Sequence, residues 1–454
     1  MSWFHTRWVL PFAEPERYAN LTASLKSFRD FEQLPEAEQR SENLARVSRL
    51  LHHAHQSSPF YRFRMDASGV NPSAWDINST IPLEPLTKTD LRVAGDAILC
   101  RSVSNEQLRA ASTGGTTGAP ARIWRTVEDL RQKVAMQIHL ESQVGYAPGD
   151  SVLMIWGADR DLELNPSWKW KLYQQRLMHQ YSAPVGMLND QVFRRFGKLL
   201  QASSPQIVYG YSSCIARFAE YVERQKLKFK APRRVLVTAE PLTPQDRELI
   251  QRVFRAPVRE FYGSRDIGMV AVECSHGRLH FHPSACHVEF VPETDSSEGM
   301  LYRLYITDLL NQSFPMIRYD TEDCVLLADD PCPCGSWYPA VRRIVGRAID
   351  NFVLGDGTTV PGVCFTTQLL RIRKPLRLIN GLQFIQKRFD LTQIRYAAEG
   401  APEHIRTELQ NITECVNGLF PSGMNWEYVR VPKILREKSG KLRFTISEVS
   451  AAFP

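Results

Sequence analysis

At 454 residues the chain is too long for one ordinary hydrophobic core and calls for two or three domains. Its 43% hydrophobic and 23% charged residues are ordinary globular composition, and a net charge of +7 is mild for this size. That charge suits small anionic ligands, whereas no dense Lys/Arg tract or arginine–aromatic alternation argues for nucleic acid. No run of about eighteen apolar residues occurs, so no membrane-spanning helix is expected. The opening "MSWFHTRWVLPFAEPERYAN" has no basic leader followed by an apolar run, so a cytoplasmic protein without a secretory signal is expected. Of the nine cysteines, five lie between Cys274 and Cys334, a clustering that in such a chain points to metal rather than disulfides.

The first hundred residues read as largely helical. "PEAEQRSENLARVSRLLHHAHQ" carries apolar residues at helical spacing and runs into the polar "SSPFYR", and Thr87 is a candidate N-cap with Asp90 three residues on. From about 150 to 262 strand alternates with helix: "SVLMIW", "DQVFRRFGKLLQAS", "PQIVYGY", "SSCIARFAEYVERQ", "RRVLVTAE", "TPQDRELIQRVF" and "APVREFYG". Thr243 caps the last of these helices, with Pro244 in its first turn. Such alternation implies parallel strands in an α/β layer, where ligands gather beyond the carboxyl ends of the strands. After 280 the segments "HVEFVPE", "GMLYRLYITDLL" and "CVLLADD" read as antiparallel strands. In the last hundred residues, "QFIQKRFDLTQIRYAAEG" reads as a hairpin, "PEHIRTELQNITECVNGLF" as a helix and "NWEYVRV" as a strand. That order suggests a small α+β lid.

"ASTGGTTGAPAR", residues 111 to 122, suits neither helix nor strand, because glycine costs backbone entropy and hydroxyls compete for backbone hydrogen bonds. It is a loop crowded with N–H and O–H donors, a composition suited to phosphate. The Gly-Lys-Ser/Thr ending of a Walker loop is absent. "REFYGSRDIG" joins an aromatic and a glycine, which would let a ligand approach the backbone, to the carboxylate Asp266. "FPMIRYDTEDCV" holds Arg318 and Asp323, and "RRIVGRAIDNF" holds Arg347 and Asp350. Cys274, His280 and the "PCPCGSW" pair Cys332 and Cys334 are a candidate Cys₃His zinc set, with His276 and His282 as alternative imidazoles and reduced buried cysteines as the rival reading. His52, His53 and His55 read as surface or packing residues, and the tryptophans of "NPSWKWKLY" as a packed cap rather than a substrate channel.

Taken in order, "STGGTTGAP", "YGSRD", "TDLLNQSFPMIRYDTED", "GRAID" and "SGKLRF" resemble the adenylate-forming superfamily. The likeness is to its phenylacetate–CoA ligase branch (CapK and coenzyme F390 synthetase-like proteins) and runs from about residue 40 to 449. The resemblance implies a large N-terminal domain of α/β layers with a small β subdomain (1–349), and a mobile α+β C-terminal lid (350–454). It implies that a carboxylic acid, aryl or small organic, reacts with ATP and Mg²⁺ to give acyl-AMP and pyrophosphate, followed by transfer to coenzyme A. Thr113, Gly114, Gly115, Thr116, Thr117 and Gly118 would cradle the leaving pyrophosphate, and Ser112 and Ser264 would also bind the nucleotide. Tyr262 and Gly263 would wall the adenine, with the backbone of Glu240 and Pro241 nearby. Asp266 would serve Mg²⁺, Asp323 the ribose hydroxyls and Arg347 ribose or phosphate. Asp350 would be the hinge and Lys441 the catalytic lysine. Zinc would be structural.

Four departures from the family pattern stand out: Arg265 in place of a hydroxyl, Asp266 in place of the longer glutamate, Ala119 in place of lysine and Glu322 in place of glycine. The rivals are transfer of the adenylate to an amine, a hydroxyl or a carrier-protein thiol, and a nucleotide-binding protein that has lost catalysis. A homodimer is a common outcome in this branch.

Overall fold

The computed structural model describes the chain except residues 1–4, 73–79, 102, 113–121, 157–179, 185–189, 297, 348–351, 356–358, 361, 370–377, 421–422, 436–443 and 450–454. Four helices dominate the start: α1 (Leu21–Glu32), α2 (Glu36–Ser57), α3 (Pro59–Ala67) and α4 (Lys88–Ala94). Helix α2 begins one residue after Pro35, which cannot supply an N–H to a preceding turn. The expected cap of α4 is a reciprocal capping box, Asp90 N donating to Thr87 Oγ1 at 3.1 Å and Thr87 N to Asp90 Oδ2 at 2.8 Å. His52, His53 and His55 lie on α2, where His55 meets Asp66 and His53 meets the Gln312 carbonyl.

Strands β1 (Leu108–Ser112) and β2 (Arg122–Thr126) pair antiparallel, and the glycine–threonine segment connects them. The composition argument above did not anticipate this hairpin, because neither strand alternates clearly between apolar and polar. Helix α5 (Val127–Gln143) follows at once, again with a capping box, between Thr126 and Asp129.

The alternating segment forms β3 (Val152–Trp156), β4 (Gln180–Pro184), α6 (Asp190–Ser203), β5 (Ile207–Tyr211), α7 (Ser212–Arg224), β6 (Arg234–Thr238), α8 (Pro244–Phe254) and β7 (Val258–Ser264). Neighbours among these strands are parallel, in the order β4-β3-β5-β6-β7. Near-continuous apolar strands are what a sheet covered by helices requires. Leu153, Val208, Val235 and Val258 pack with Phe196, Phe218 and Phe254 of α6, α7 and α8.

Beyond β7 the sheet turns antiparallel through β8 (Gly268–Glu273) and β9 (Leu279–Phe281). It continues with β10 (Cys286–Ser296), β11 (Gly299–Asp308), β12 (Tyr319–Leu327) and β13 (Ala340–Arg347). The eleven-stranded order is β10-β11-β12-β13-β9-β8-β7-β6-β5-β3-β4. Strand β12 starts at Tyr319, five residues before the predicted "CVLLADD". Its first half, "YDTED", is too polar to read as a strand, but ladder pairing satisfies its backbone.

Two compact units result: Met1–Phe290 with Leu304–Thr321 and Ala328–Arg342, and Val291–Arg303 with Glu322–Leu327 and Arg343–Pro454. The predicted boundary at 349/350 lies outside the described residues. The second unit contains β14 (Phe352–Val353), β15 (Thr359–Val360) and α9 (Gly362–Leu369). Its hairpin of β16 (Ile379–Arg388) and β17 (Leu391–Ala398), helix α10 (Pro402–Asn417) and β18 (Asn425–Arg430) match the predicted hairpin–helix–strand order. Strand β19 (Thr445–Ser447) adds to β16 in parallel, giving the order β18-β17-β16-β19. Phe352, Phe365, Phe384, Ile394, Ile405, Ile412 and Phe420 form its core.

Candidate active site and metal centre

Apart from Ser112, the described nucleotide-site candidates of the first unit lie at or just past the ends of two neighbouring parallel strands, β6 and β7. Past β6 the chain turns sharply, Ala239 taking a left-handed φ of 70° that an alanine adopts only under local constraint. Glu240 follows, and its carboxylate accepts from both the backbone N and the hydroxyl of Ser213 in the first turn of α7. The Ser212 hydroxyl donates to the Glu240 carbonyl at 2.9 Å. A carboxylate there also complements the positive end of the helix dipole. Pro241 continues the turn.

Strand β7 ends in Tyr262, Gly263 and Ser264. Tyr262 is buried edge-on against Phe281, ring centres 5.7 Å apart. Gly263 sits at a register shift in the β7–β8 hairpin, where an added Cβ would lie 2.4 Å from the Gly268 carbonyl oxygen. The observed reason for this glycine is therefore the close approach of β8. Ser264 Oγ accepts from Asp266 N at 3.2 Å, folding the "SRD" turn.

Asp266 is buried, and the Tyr319 hydroxyl donates to its Oδ2 at 2.7 Å. Its Oδ1 is buried and meets no hydrogen-bond partner among the described residues. A buried carboxylate oxygen in this condition is costly unless a cation or donor meets it, so the residue fits the predicted association with Mg²⁺.

In the second unit, Glu322 takes a left-handed φ of 64°. Family members are expected to carry glycine at this position, and the backbone conformation supplies the physical reason: only glycine enters that region without Cβ strain. Asp323 follows on β12 and is half-buried. Arg347 is the last residue of β13, and Ser112 the last of β1. Thr113 to Gly118, Ala119, Asp350, Lys441 and the "NPSWKWKLY" tryptophans lie outside the described residues.

The four predicted zinc ligands come together. Their ligating atoms lie within 4.8 Å of one another. Cys274 Sγ and Cys332 Sγ are 3.6 Å apart, and Cys334 Sγ and His280 Nε2 3.5 Å. Zinc at about 2.3 Å from sulfur and about 2.0 Å from nitrogen has tetrahedral edges of about 3.5–3.8 Å, so the donor set fits. Three local devices make the cage. The Cys274 carbonyl accepts from Gly277 N at 3.2 Å in a tight turn. The Cys332 carbonyl accepts from Gly335 N at 3.0 Å, with Gly335 at a φ of 79° that favours glycine. His280 Nδ1 faces the Tyr338 carbonyl at 3.1 Å; donating its proton there leaves Nε2 free as ligand. Burial holds the His280 pKa below the ordinary imidazole value, which favours the ligating neutral form. Of the alternatives, His276 donates its backbone N–H to Cys274 Sγ, an auxiliary contact.

His282, the other alternative, belongs to a hub that sequence reasoning missed. His139 Nε2, His282 Nε2 and Gln143 Nε2 all converge on Glu32 Oε1, at 2.9, 3.2 and 2.6 Å. Burial pushes the Glu32 carboxyl up, but the hydrogen bonds and electrostatic pull of His139 and His282 together outweigh it and hold its pKa at about 2. Ser284 N approaches His282 Nδ1 at 3.3 Å, so that nitrogen is the acceptor and Nε2 carries the proton to Glu32. Glu32, His139 and His282 are over a hundred positions apart, and no spacing signal links them.

No family model matches the chain. The protein named CapK of Staphylococcus aureus is 23% identical over 403 residues, 87% of this chain and 86% of that protein. A phenylacetate-coenzyme A ligase of Thermus thermophilus is 26% identical over 353 residues, 73% of this chain and 75% of the enzyme. A solved structure of 2-hydroxyisobutyryl-CoA ligase, in its postadenylation state with 2-HIB-AMP, shares the fold at a TM-score of 0.70 and 19% identity, covering 91% of this chain and 90% of that one. Together with the motif order, these likenesses place the chain in the adenylate-forming superfamily, within the phenylacetate–CoA ligase branch of acid–thiol ligases.

Proposed function

We propose that this protein activates a small carboxylic acid with ATP as acyl-AMP, releasing pyrophosphate, and then passes the acyl group to the thiol of coenzyme A. The observation that carries the reading is Asp266: a buried carboxylate with one oxygen hydrogen-bonded to Tyr319 and the other unmet among the described residues, just past the end of a parallel strand. It stands in family order between the phosphate loop and Asp323. Relatives named as phenylacetate-coenzyme A ligases, and fold neighbours solved with acyl-AMP and CoA, support both half-reactions.

In this reading the carboxylate oxygen of the acid attacks the α-phosphorus in line, and charge grows on the phosphate oxygens. The hydroxyl and amide groups of residues 112–118 hold the leaving pyrophosphate, and Asp266 would hold Mg²⁺, which would supply neutralisation of phosphate charge. Tyr262 walls the adenine, with Glu240 and Pro241 beside it and Gly263 and Ser264 continuing the wall. Asp323 accepts from the ribose hydroxyls and Arg347 meets ribose or phosphate. Lys441 brings a compact ammonium to the α-phosphate and carboxylate oxygens. Rotation of residues beyond Asp350 then withdraws it and admits the thiol. Cys274, His280, Cys332 and Cys334 would hold one structural zinc ion, since four protein donors suit a closed rather than a catalytic site.

The test is acid-dependent ATP–pyrophosphate exchange across a panel of aryl and small aliphatic acids, followed by AMP release with and without CoA. Exchange that needs an acid, with AMP release accelerated by CoA, is expected. Acceleration only by an amine, a hydroxyl compound or a carrier protein would reject CoA as acceptor. ATP binding with exchange at background for every acid would reject the enzyme reading.

A further inference from the structure

The turn that carries Asp266 is gripped by two cations, the buried Lys133 and the half-buried Arg125, that none of the motifs contains. Lys133, on the second turn of α5, donates from Nζ to the Ile267 carbonyl at 2.7 Å and pairs with Asp308 Oδ2 at 2.5 Å. Both partners of that ion pair are almost fully buried, at 6% and 0% exposure. Arg125, in β2 directly after the phosphate loop, donates from Nη2 to the Asp266 carbonyl at 2.9 Å and also to the Arg265 carbonyl. The carbonyls of Arg265, Asp266 and Ile267 are thus all engaged by positive charge.

The same stem is tied to a third segment. Asp129 accepts from Gln312 N at 3.1 Å and Ser313 Oγ at 2.6 Å, while Asn311 Nδ2 donates to the Trp124 carbonyl at 3.1 Å. Asp308 accepts from Leu310 N at 3.0 Å.

Stability alone is a poor reason for such a cluster. A buried ion pair costs desolvation that well-packed apolar side chains of similar volume would avoid. Burial indeed depresses the pKa of both Lys133 and Arg125, with Asp308 among the charges that resist it. What charged groups offer over apolar ones is direction: hydrogen bonds to consecutive carbonyls fix the peptide planes of a turn, which packing does not.

We infer that Arg125, backed by the Lys133–Asp308 pair, is a positioning residue for adenylation. It ties the stem of the phosphate loop to the Asp266 turn, so that Asp266 meets the metal–nucleotide in a preset orientation. The inference rests on the adenylation reading above and adds to it the residues that preorganise the site.

The test uses the full chain with Arg125→Ala and Arg125→Lys. Hydrogen exchange of peptides spanning 262–268 is read by mass spectrometry, and pyrophosphate exchange is measured against Mg²⁺ concentration. Arg125→Ala is expected to speed amide exchange in that turn while the β3–β6 core keeps its protection. It should raise the Mg²⁺ requirement and lower turnover by about ten- to a hundredfold, the scale of a small misplacement at a reacting centre. Arg125→Lys, or millimolar guanidinium added to the alanine variant, should restore part of both. Unchanged protection and an unchanged Mg²⁺ profile in folded Arg125→Ala overturn the inference. So does loss of protection throughout both variants, which marks a merely structural role. A wild-type protein silent towards every acid defeats the adenylation reading alone; the hydrogen-exchange arm still decides the role of Arg125.

Discussion

Helix α5 buries four ionisable side chains, Asp129, Lys133, His139 and Glu141, and Glu141 meets the neutral amide of Gln137 rather than a charged partner. Its Oε1 accepts from Gln137 Nε2 at 2.9 Å. Burial pushes its pKa from 4.5 up to about 7, with the Gln137 bond and the Arg17 charge pulling part-way back. The folded carboxyl therefore holds its proton across a pH window in which the unfolded one has lost it. Between pH 4.5 and 7 the folded state binds more protons than the unfolded state, so stability falls as pH rises and is fully reduced above 7. At ~1.4 kcal/mol per tenfold, that separation corresponds to about 3 kcal/mol. Glu141→Gln is the neutral isostere and carries no such slope, so its stability relative to wild type should improve by about 3 kcal/mol between pH 4 and pH 8. Urea unfolding midpoints of both proteins, followed by tryptophan fluorescence at intervals across that range, measure it. Taking the difference cancels the slopes of all other carboxyls. A pH-independent offset between the two curves would refute the reasoning, because it would mean that Glu141 ionises in the folded protein at its ordinary pH.

Three further outcomes follow from the site. Zinc near one per chain is expected by elemental analysis and should be lost in Cys332→Ser; an equally stable, metal-free wild type would sink the Cys₃His centre. Lys441→Ala should slow adenylation by about a hundredfold or more while ATP still binds, as measured by exchange kinetics beside a nucleotide titration. Gly263→Ala should destabilise the fold by at least about 2 kcal/mol, since its Cβ would meet backbone rather than a flexible side chain; thermal unfolding at unchanged midpoint would contradict the tight β7–β8 approach.

Much of the architecture is written in short range. The β3-to-β7 alternation, the capped helices α4 and α8, and the hairpin of β16 and β17 each rest on periodicity or on a cap within a few residues, which neighbouring side chains dictate. The Cys–x–Cys–Gly turn likewise announced two of the four zinc-competent ligands. Residue type alone offers Cys274 and three histidines as their partners, and the family resemblance favours His280; the antiparallel pairing of β13 with β9 sets Ala340 opposite His280. Strand β12 extended past its apolar half because ladder hydrogen bonds, available only in the sheet, satisfy the polar "YDTED" backbone.

The buried polar contacts had no such local expression. Glu32 meets His139 and His282, and Arg125 and Lys133 meet a turn 134 to 141 residues away. In sequence these are ordinary charges on a helix, a strand edge and a loop. Whether such a charge is solvated or committed depends on which carbonyl or carboxylate the packed fold places within about 3 Å of it. Side-chain pattern along the chain thus determined which elements form, and long-range packing alone decided which charges were removed from water and what they hold in place.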